Sequence, residues 1–480
     1  MEPEQIFRST QARILRSAGL EVLLPPDAEF AKSQESYWSL SARLSPACVV
    51  RPRSSQEVAS AVRSLVTQRW KFALRSGGHA TCAGASNIAD GVTLDLSLMS
   101  WIRFNKTDNT VDIGPGARWK DVYTELDKHG RMVAGGREGN VGVGGLILGG
   151  GKTFLTARRG FACDNVVQFE VVLADGTIVA ASLGQSDDLF WALKGGSNNF
   201  GVVTNFKMKT FDGGKVWGGI NFYSKEVAGQ AIQNVVDFTN NLHGTLDSNM
   251  LCLFTYMELK DVGVAFVGLQ VDGDEDSLAY EPWHGLPSIN STFKTTTLSE
   301  FTSTPEHNLP LDYYNIFFTA SFKNDTRIVT HAVELHEKLV LEFKDFIPDG
   351  DFSTQCIFQP LPTLYGTVSV AAGGNAMGLE RQKSNGLLFL AVAMVRTKSQ
   401  YDWAYPKIKA WLEAMKSFAD TVEGGNLEFV YLNYADASQN PLGSYGEGNL
   451  RRLKEVAAKY DPEQVFQTLC PGGFKVSKVN

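Results

Sequence analysis

The chain has 480 residues, with 45 basic against 52 acidic side chains and a net charge of −7. At 43% hydrophobic and 20% charged it has ordinary globular composition, which excludes disorder as the dominant state. No basic stripe suits a polyanion, so nucleic acid is not an expected partner. No window approaches the roughly 18 uninterrupted apolar residues of a membrane span. At roughly 100–200 residues per domain, two to four units are expected. The N-terminus lacks the basic and apolar regions of a signal peptide, and the expected location is intracellular, cytoplasmic. Cys48, Cys82, Cys163, Cys252, Cys356 and Cys470 are scattered without a CxxC pair, so neither a disulfide framework nor a metal site is expected. Asn-x-Thr sequons at Asn105, Asn290 and Asn324 read as chance matches in a chain without such a signal.

In chain order, residues 1–40 hold a short amphipathic segment and a Pro25-Pro26 break. Cys48–Val50 reads as a strand. Ser54 and Glu57 form a capping box ahead of a helix whose apolar face is Val58, Ala61, Val62, Leu65 and Val66. Lys71–Arg75 and Thr93–Leu98 read as strands, the latter with Leu94, Leu96 and Leu98 alternating. A helix over Trp119–His129 ends at Gly130. Asp175-Gly176 closes a hairpin between Phe169–Ala174 and Thr177–Ala181, and Asp187–Lys194 is a short helix. Beyond about 214 the glycine density falls. Helices are expected at 225–243, 326–345 and 402–419, and strands at 250–258, 262–271 and 387–396, as in one α+β unit. The tail has a strand-like Phe429–Tyr434 and a helix near 449–459. His331 and His336, five apart on a helix, have no metal-ligand spacing and read as solvated or capping groups.

Glycine is the compositional outlier, with 46 residues against roughly 7% in an average chain. Residues 135–151 read GGREGNVGVGGLILGGG, nine glycines in seventeen positions. Such a run lets backbone N–H groups approach an anion closely. It matches neither common nucleotide motif. A P-loop ending at Gly151-Lys152-Thr153 would need glycine at Leu146, and GxGxxG started at Gly142 would need it at Ile147. A second loop, Arg75-Ser76-Gly77-Gly78-His79-Ala80, follows a strand directly and again suits a pyrophosphate. A third run, Gly195-Gly196-Ser197-Asn198-Asn199-Phe200-Gly201-Val202-Val203-Thr204, leads into another strand.

Taken together, RSGGH, VGVGGLILGGG, CDNV, DLFWALKGGSNNFGVVT and YLNYAD resemble the flavin-linked oxidases of the vanillyl-alcohol oxidase and p-cresol methylhydroxylase superfamily. Within it the resemblance is to the berberine-bridge-enzyme-like oxidases, particularly the fungal ones. It covers about 45–210 densely and 429–470 clearly. The implied fold is α+β: a two-domain FAD-binding fold with a substrate domain built on an antiparallel sheet. The implied division is an N-terminal segment, 1–41, packing on an FAD-binding domain, 42–213; a substrate domain, 214–429; and a return to the FAD domain, 430–480.

The resemblance implies FAD attached through His79 by an 8α-histidyl bond, with Arg75, Ser76, Gly77, Gly78 and Ala80 around the pyrophosphate. Val141, Gly142, Gly144, Gly145, Gly149 and Gly150 would lie along the cofactor. Gly201 and Val203 would contact its adenosine half, and Asn433 would sit near the isoalloxazine. Relatives with a second tether use a cysteine where this chain has Glu138, so attachment through His79 only is implied. Val141 stands at the oxygen-access position, which implies dioxygen as acceptor. The implied reaction is two-electron oxidation of a small organic molecule, of secondary-metabolite type, giving hydrogen peroxide. An oxidative cyclase, a carbohydrate oxidase and a non-catalytic flavin-binding protein are the alternatives. The stretch matching the family's catalytic strand, Phe358 to Val368, carries no Asp or Glu. Tyr434 and then Tyr365 are the candidate bases, with Thr367 the other polar group nearby. A tyrosine, with an ordinary pKa of about 10, would need a cationic or hydrogen-bonding neighbour for that task.

Overall fold

The computed structural model describes residues 3–256, 262–304 and 310–479. Three sheets organise it. In the first, Val22–Leu23, Cys48–Val50, Val92–Asp95 and Phe72–Arg75 lie side by side in that order, the last three parallel. Helix Ser55–Thr67 makes the crossover and buries the expected apolar face. Its cap is only half the expected box. Ser54 Oγ accepts from the Glu57 amide at 3.2 Å, but the Glu57 carboxylate reaches back to the Arg53 amide, at 2.9 Å, instead of that of Ser54. The expected strand Thr93–Leu98 is cut at Asp95. That side chain accepts from the Ser97 amide at 3.0 Å and turns Leu96–Leu98 into a 3-10 turn, a local bond that competes with the ladder.

The second sheet is antiparallel around Val202–Asp212, which pairs with Thr110–Ile113 on one side and Val166–Val172 on the other. Val166–Val172 continues through the expected Asp175-Gly176 hairpin into Ile178–Ser182. Cys163-Asp164-Asn165 explains the CDNV motif. The buried Asp164 accepts from Ser369 Oγ (2.7 Å), Asn375 Nδ2 (2.9 Å) and the Phe161 amide (2.9 Å), which fastens this turn to the helix Leu364–Ala371.

The third sheet has nine strands, with Gly263–Gln270, Ser248–Tyr256, Phe352–Leu361, Gly386–Val395 and Tyr314–Lys323 consecutive and antiparallel at its centre. Residues 257 and 258 of the expected strand 250–258 lie outside the described residues. Helices Ala228–Asn241, Thr326–Phe346 and Lys398–Ala419 cover one face of this sheet. Alternation along the strands therefore divides the side chains. Cys356, Phe358, Phe389 and Ala391 enter the main core under the helices, whereas Ile357, Leu390, Val392 and Met394 form a separate cluster with Trp38 on the opposite face. The two central strands are buried along their whole length. This explains why Gly386–Val395 reads as a continuous apolar run and not as an alternating one.

The tail departs from expectation at Phe429–Tyr434. It forms no strand, and Leu432–Tyr434 is a 3-10 turn. Its side chains are spent on contacts with the glycine run. The segment around Trp38 links both halves of the molecule: the Trp38 amide donates to Gly78 O at 3.1 Å, and the Leu40 amide to Tyr313 O at 2.9 Å.

His336 is neither solvated nor a cap. It is fully buried, its Nε2 lies 2.9 Å from Thr354 Oγ1, and its ring stacks on Trp411. Burial lowers its pKa to about 3, so the folded protein keeps this ring neutral while the unfolded chain protonates it below about 6.5. Between those values the unfolded state binds more protons, and stability falls as pH falls. His336→Gln should reduce the slope of unfolding free energy against pH, by up to about 1.4 kcal/mol per pH unit between about pH 4 and 6. Urea titrations at stepped pH measure it, and parallel slopes for the two proteins would contradict it.

Candidate active site

Two glycine-bearing loops meet backbone to backbone. A Cβ on Gly77 would lie 2.5 Å from the Gly142 amide nitrogen, and one on Gly142 would lie 2.4 Å from that of Gly77. Ser76 Oγ clamps the contact, donating to Pro115 O at 2.6 Å and accepting from the Gly144 amide at 3.2 Å. The amides of Gly78, His79 and Ala80 donate no hydrogen bond among the described residues. They border a cavity of about 1330 Å³, lined by Ser76–Ala80, Val141, Gly142, Gly144, Gly145, Gly201, Val203, Asn433 and Tyr434. A Cβ on Gly145 would meet nothing within 4 Å, so this backbone faces open space. The volume exceeds the roughly 300–1,000 Å³ of a single drug-sized site and leaves room for a dinucleotide beside a second molecule.

His79 stacks flat on Trp38, with ring centroids 4.3 Å apart and planes 1° from parallel. Enclosure, and secondarily the Arg118 guanidinium, push its imidazole down to about 3, so it is neutral and keeps a free lone pair. Cys82 is the cysteine that reaches this cavity. Its thiol is pushed up to about 11 by burial and by Asp436, and it lies 3.5 Å from Ala435 O.

Four sequence-derived positions are corrected. Arg75 turns away from the cavity. Its guanidinium donates to Ser33 O at 2.7 Å and to Ser36 Oγ at 2.5 Å, lies 3.5 Å from Asp95 and stacks over Tyr37. Gly149 and Gly150 are packing glycines: a Cβ would lie 1.9 Å from Asn433 Oδ1 or 2.4 Å from Met377 Sδ. Tyr365 lies on helix Leu364–Ala371, beyond the end of the strand, fully buried against Phe161 and away from the cavity wall. Thr367 is on the same helix. Burial drives the Tyr365 hydroxyl well above its ordinary value, the wrong direction for a base.

Tyr434 does reach the cavity, and it has the neighbours a working tyrosine needs. Arg137 Nη2 donates to its oxygen at 3.0 Å and to Gln359 Oε1 at 2.6 Å, while Gln359 Nε2 lies 3.3 Å from the same oxygen. Asn433 Nδ2 donates to Leu146 O at 2.9 Å and Tyr431 Oη at 3.1 Å. Tyr431 Oη in turn accepts from the Lys152 amide at 2.6 Å. Lys152 is nearly inaccessible, and its Nζ donates to Pro360 O at 2.6 Å. Burial, and then the nearby Arg137, push its ammonium well below its ordinary value.

Sequence reasoning passed over Trp38, Arg137, Lys152 and Gln359. Arg137 sits inside the glycine run but is noticed there only as a neighbour of Glu138. Lys152 shows itself only as the tail of a failed P-loop. Gln359 carries no signal until its strand is aligned against Tyr434. No group of three or more His, Cys, Asp or Glu that could hold a metal occurs among the described residues, and no helix there is long and apolar enough to cross a membrane.

A glycine cradle with unpaired amides, an enclosed histidine and a tyrosine–arginine pair thus share one large cavity. Comparison with known proteins identifies the family. The family described as "FAD binding domain" matches residues 46–182, and "Berberine and berberine like" matches 430–468. The chain is 37% identical over 469 residues to a protein of Aspergillus calidoustus named FAD-dependent monooxygenase drtC, covering 96% of this chain and 89% of that one. It is 30% identical over 459 residues to the bifunctional solanapyrone synthase of Alternaria solani, covering 95% and 86%. Among solved structures, 6-hydroxy-D-nicotine oxidase of Arthrobacter nicotinovorans superposes with a TM-score of 0.77 at 23% identity, covering 93% of this chain and 96% of the other. A xylooligosaccharide oxidase of Myceliophthora thermophila also gives 0.77, at 22% identity, covering 97% and 98%. The chain belongs to the berberine-bridge-enzyme-like family of FAD-dependent oxidoreductases.

Gly142→Ala would drive a methyl group into the Gly77 backbone, which cannot give way as a flexible side chain does. A loss of about 2 kcal/mol or more of folding stability is expected, with less flavin incorporated into the purified protein than in the wild type. Flavin absorbance per mole of protein measures it, and an unchanged ratio would contradict the contact.

Proposed function

We propose that this protein is an oxidase that removes two electrons from a small organic substrate in the cleft between an FAD-binding part, 42–213 with 430–480, and a substrate part, 214–429. Bound FAD would supply the chemistry of accepting hydride at N5 and passing the electrons to dioxygen, giving hydrogen peroxide. The observation that carries the reading is that His79, on the glycine cradle, and Tyr434, held by Arg137 and Gln359, open into the same cavity.

In this reading His79 holds FAD covalently and alone. Its ring is neutral and oriented by Trp38, whereas the cavity's cysteine, Cys82, is a fully protonated thiol near neutral pH. The backbone of Ser76–Ala80 and Gly142–Gly145 receives the phosphates and the ring edge. Gly201 and Val203 border the adenosine end, and Asn433 fixes the cavity wall beside Leu146. Val141 leaves a small apolar wall through which dioxygen approaches. Arg137 and Gln359 both donate to the Tyr434 oxygen, which leaves the Tyr434 hydroxyl hydrogen facing the cavity. There it exchanges a proton with the substrate's oxygen or nitrogen. The relatives named monooxygenases favour a second reading, in which an oxygen atom enters the product. Labelled dioxygen separates the two: hydrogen peroxide equimolar with oxygen consumed and an unlabelled product mark the oxidase.

Acid-precipitated wild-type protein should stay yellow, and His79→Ala should release its colour to the supernatant. A colourless wild-type pellet would defeat covalent attachment. With a substrate identified by anaerobic bleaching on a panel of phenols, alcohols and amines, Tyr434→Phe should slow bleaching about 100-fold or more while the pellet stays yellow. Stopped-flow absorbance near the flavin band reads it, and an unchanged rate removes Tyr434 from the chemistry.

A further inference from the structure

The cavity wall opposite the glycine loops is the uncovered face of the nine-stranded sheet. Strands Ser248–Tyr256, Phe352–Leu361 and Gly386–Val395 present Leu251, Leu253, Ile357, Leu390 and Val392 to it, with Thr255 and Gln355 as their polar side chains and Asn290 contributed by the strand Ser288–Ser291 of the same sheet. A polyhydroxylated substrate laid on this wall would leave most of its hydroxyls unpaired, which is unfavourable. A flat carbon skeleton loses nothing there and gains by burial.

One end of the same wall has the opposite character. Arg137 spends Nη2 on Gln359 and Tyr434, but its Nη1 is buried with no hydrogen-bond partner. Lys152 lies close behind, with Nζ bonded only to the Pro360 carbonyl. Among the described residues no carboxylate forms an ion pair with either cation. Glu138 also lines the cavity, but both its oxygens are buried without a hydrogen bond to either cation. Burial pushes its carboxyl above the usual range, an effect the Asn140 and Val141 amides only moderate. A guanidinium nitrogen buried beside an apolar wall without a counter-ion is costly, and the missing anion is most simply delivered with the ligand. An arginine fork with one nitrogen uncommitted suits an oxyanion.

We propose that the substrate is an apolar, largely planar molecule bearing one acidic oxygen group, a carboxylate, phenolate or enolate, which Arg137 receives with Lys152 behind it while the sheet face covers the carbon skeleton. This rests on the oxidase reading above, in which Tyr434 marks the substrate end of the cavity. It places the acidic group beside the tyrosine oxygen, so the oxidised carbon lies within a few bonds of that group. It also sets this chain apart in substrate from the carbohydrate oxidases whose fold it shares.

The test uses full-length, flavin-loaded protein and three probes: 2-naphthoate, its neutral isostere 2-naphthamide, and cellobiose. Binding is read by calorimetry and by perturbation of the flavin spectrum. Naphthoate should bind about tenfold or more tighter than naphthamide, and cellobiose should not bind. Arg137→Gln should bring the naphthoate-to-naphthamide affinity ratio to within about twofold of one, and Arg137→Lys should restore part of the preference. Equal binding of the two naphthalenes, binding of neither, tighter binding of cellobiose, or a preference that survives Arg137→Gln would overturn the proposal. A changed sulfite affinity of the flavin in Arg137→Gln, with naphthoate preference intact, would assign the guanidinium to the cofactor and overturn it equally. Flavin absorbance is recorded before any titration. A protein without flavin defeats the oxidase reading itself, whereas a flavin-loaded protein without carboxylate preference defeats this inference alone.

Discussion

The contact between Gly77 and Gly142 is the constraint on which the rest of the site depends. Two loops about 65 residues apart in sequence approach until their backbones touch, and any side chain at either position would meet main-chain atoms. Beside this contact the amides of Gly78–Ala80 are left without a described acceptor at the border of the cavity, and the Gly78 carbonyl is held by the Trp38 amide. Trp38 then does two things: it stacks on His79 and packs into the cluster formed by Ile357, Leu390 and Val392. The glycine loops and the open face of the large sheet are thus joined through a single indole.

The antiparallel sheet supplies the second half of the site through alternation alone. Helices Thr326–Phe346 and Lys398–Ala419 claim one face, leaving Gln355, Ile357 and Gln359 on the other. Gln359 is fully buried, and it meets Tyr434 from the tail and Arg137 from the glycine run. Three distant stretches thereby converge on one phenolic oxygen. Each of those polar groups is costly to bury alone and is retained because the others satisfy it.

Electrostatically, the site separates its tasks. Near the glycine loops, enclosure keeps the His79 imidazole neutral and the Cys82 thiol protonated. Beside Tyr434, Arg137 keeps one guanidinium nitrogen that no described residue pairs with.

Much of this was legible in the sequence, because local rules govern it. Glycine density, the RSGGH loop, the Asp175-Gly176 hairpin and the apolar periodicities report directly on backbone freedom and burial, and the five motifs together carried the FAD-linked family and its α+β fold. The errors arose where long-range contacts override local pattern. Leu94, Leu96 and Leu98 alternate as a strand should, but Asp95 caps a turn between them. Phe429–Tyr434 has strand composition, yet its side chains are spent on Lys152, Leu146 and Arg137. His336 looks like a surface histidine until its helix is laid on the sheet, and Tyr365 looks catalytic until its strand is seen to end at Leu361. Gly149, Gly150 and Arg75 belong to the right motifs but face the wrong way. A motif specifies which residues lie near a ligand, whereas the direction each one faces depends on what packs behind it. The sequence by itself therefore determined the backbone chemistry of the cofactor cradle. Only the tertiary structure decided that Arg137 and Gln359 join Tyr434, because polar groups from three separate segments acquire a common site only when the folded core holds them within hydrogen-bonding distance.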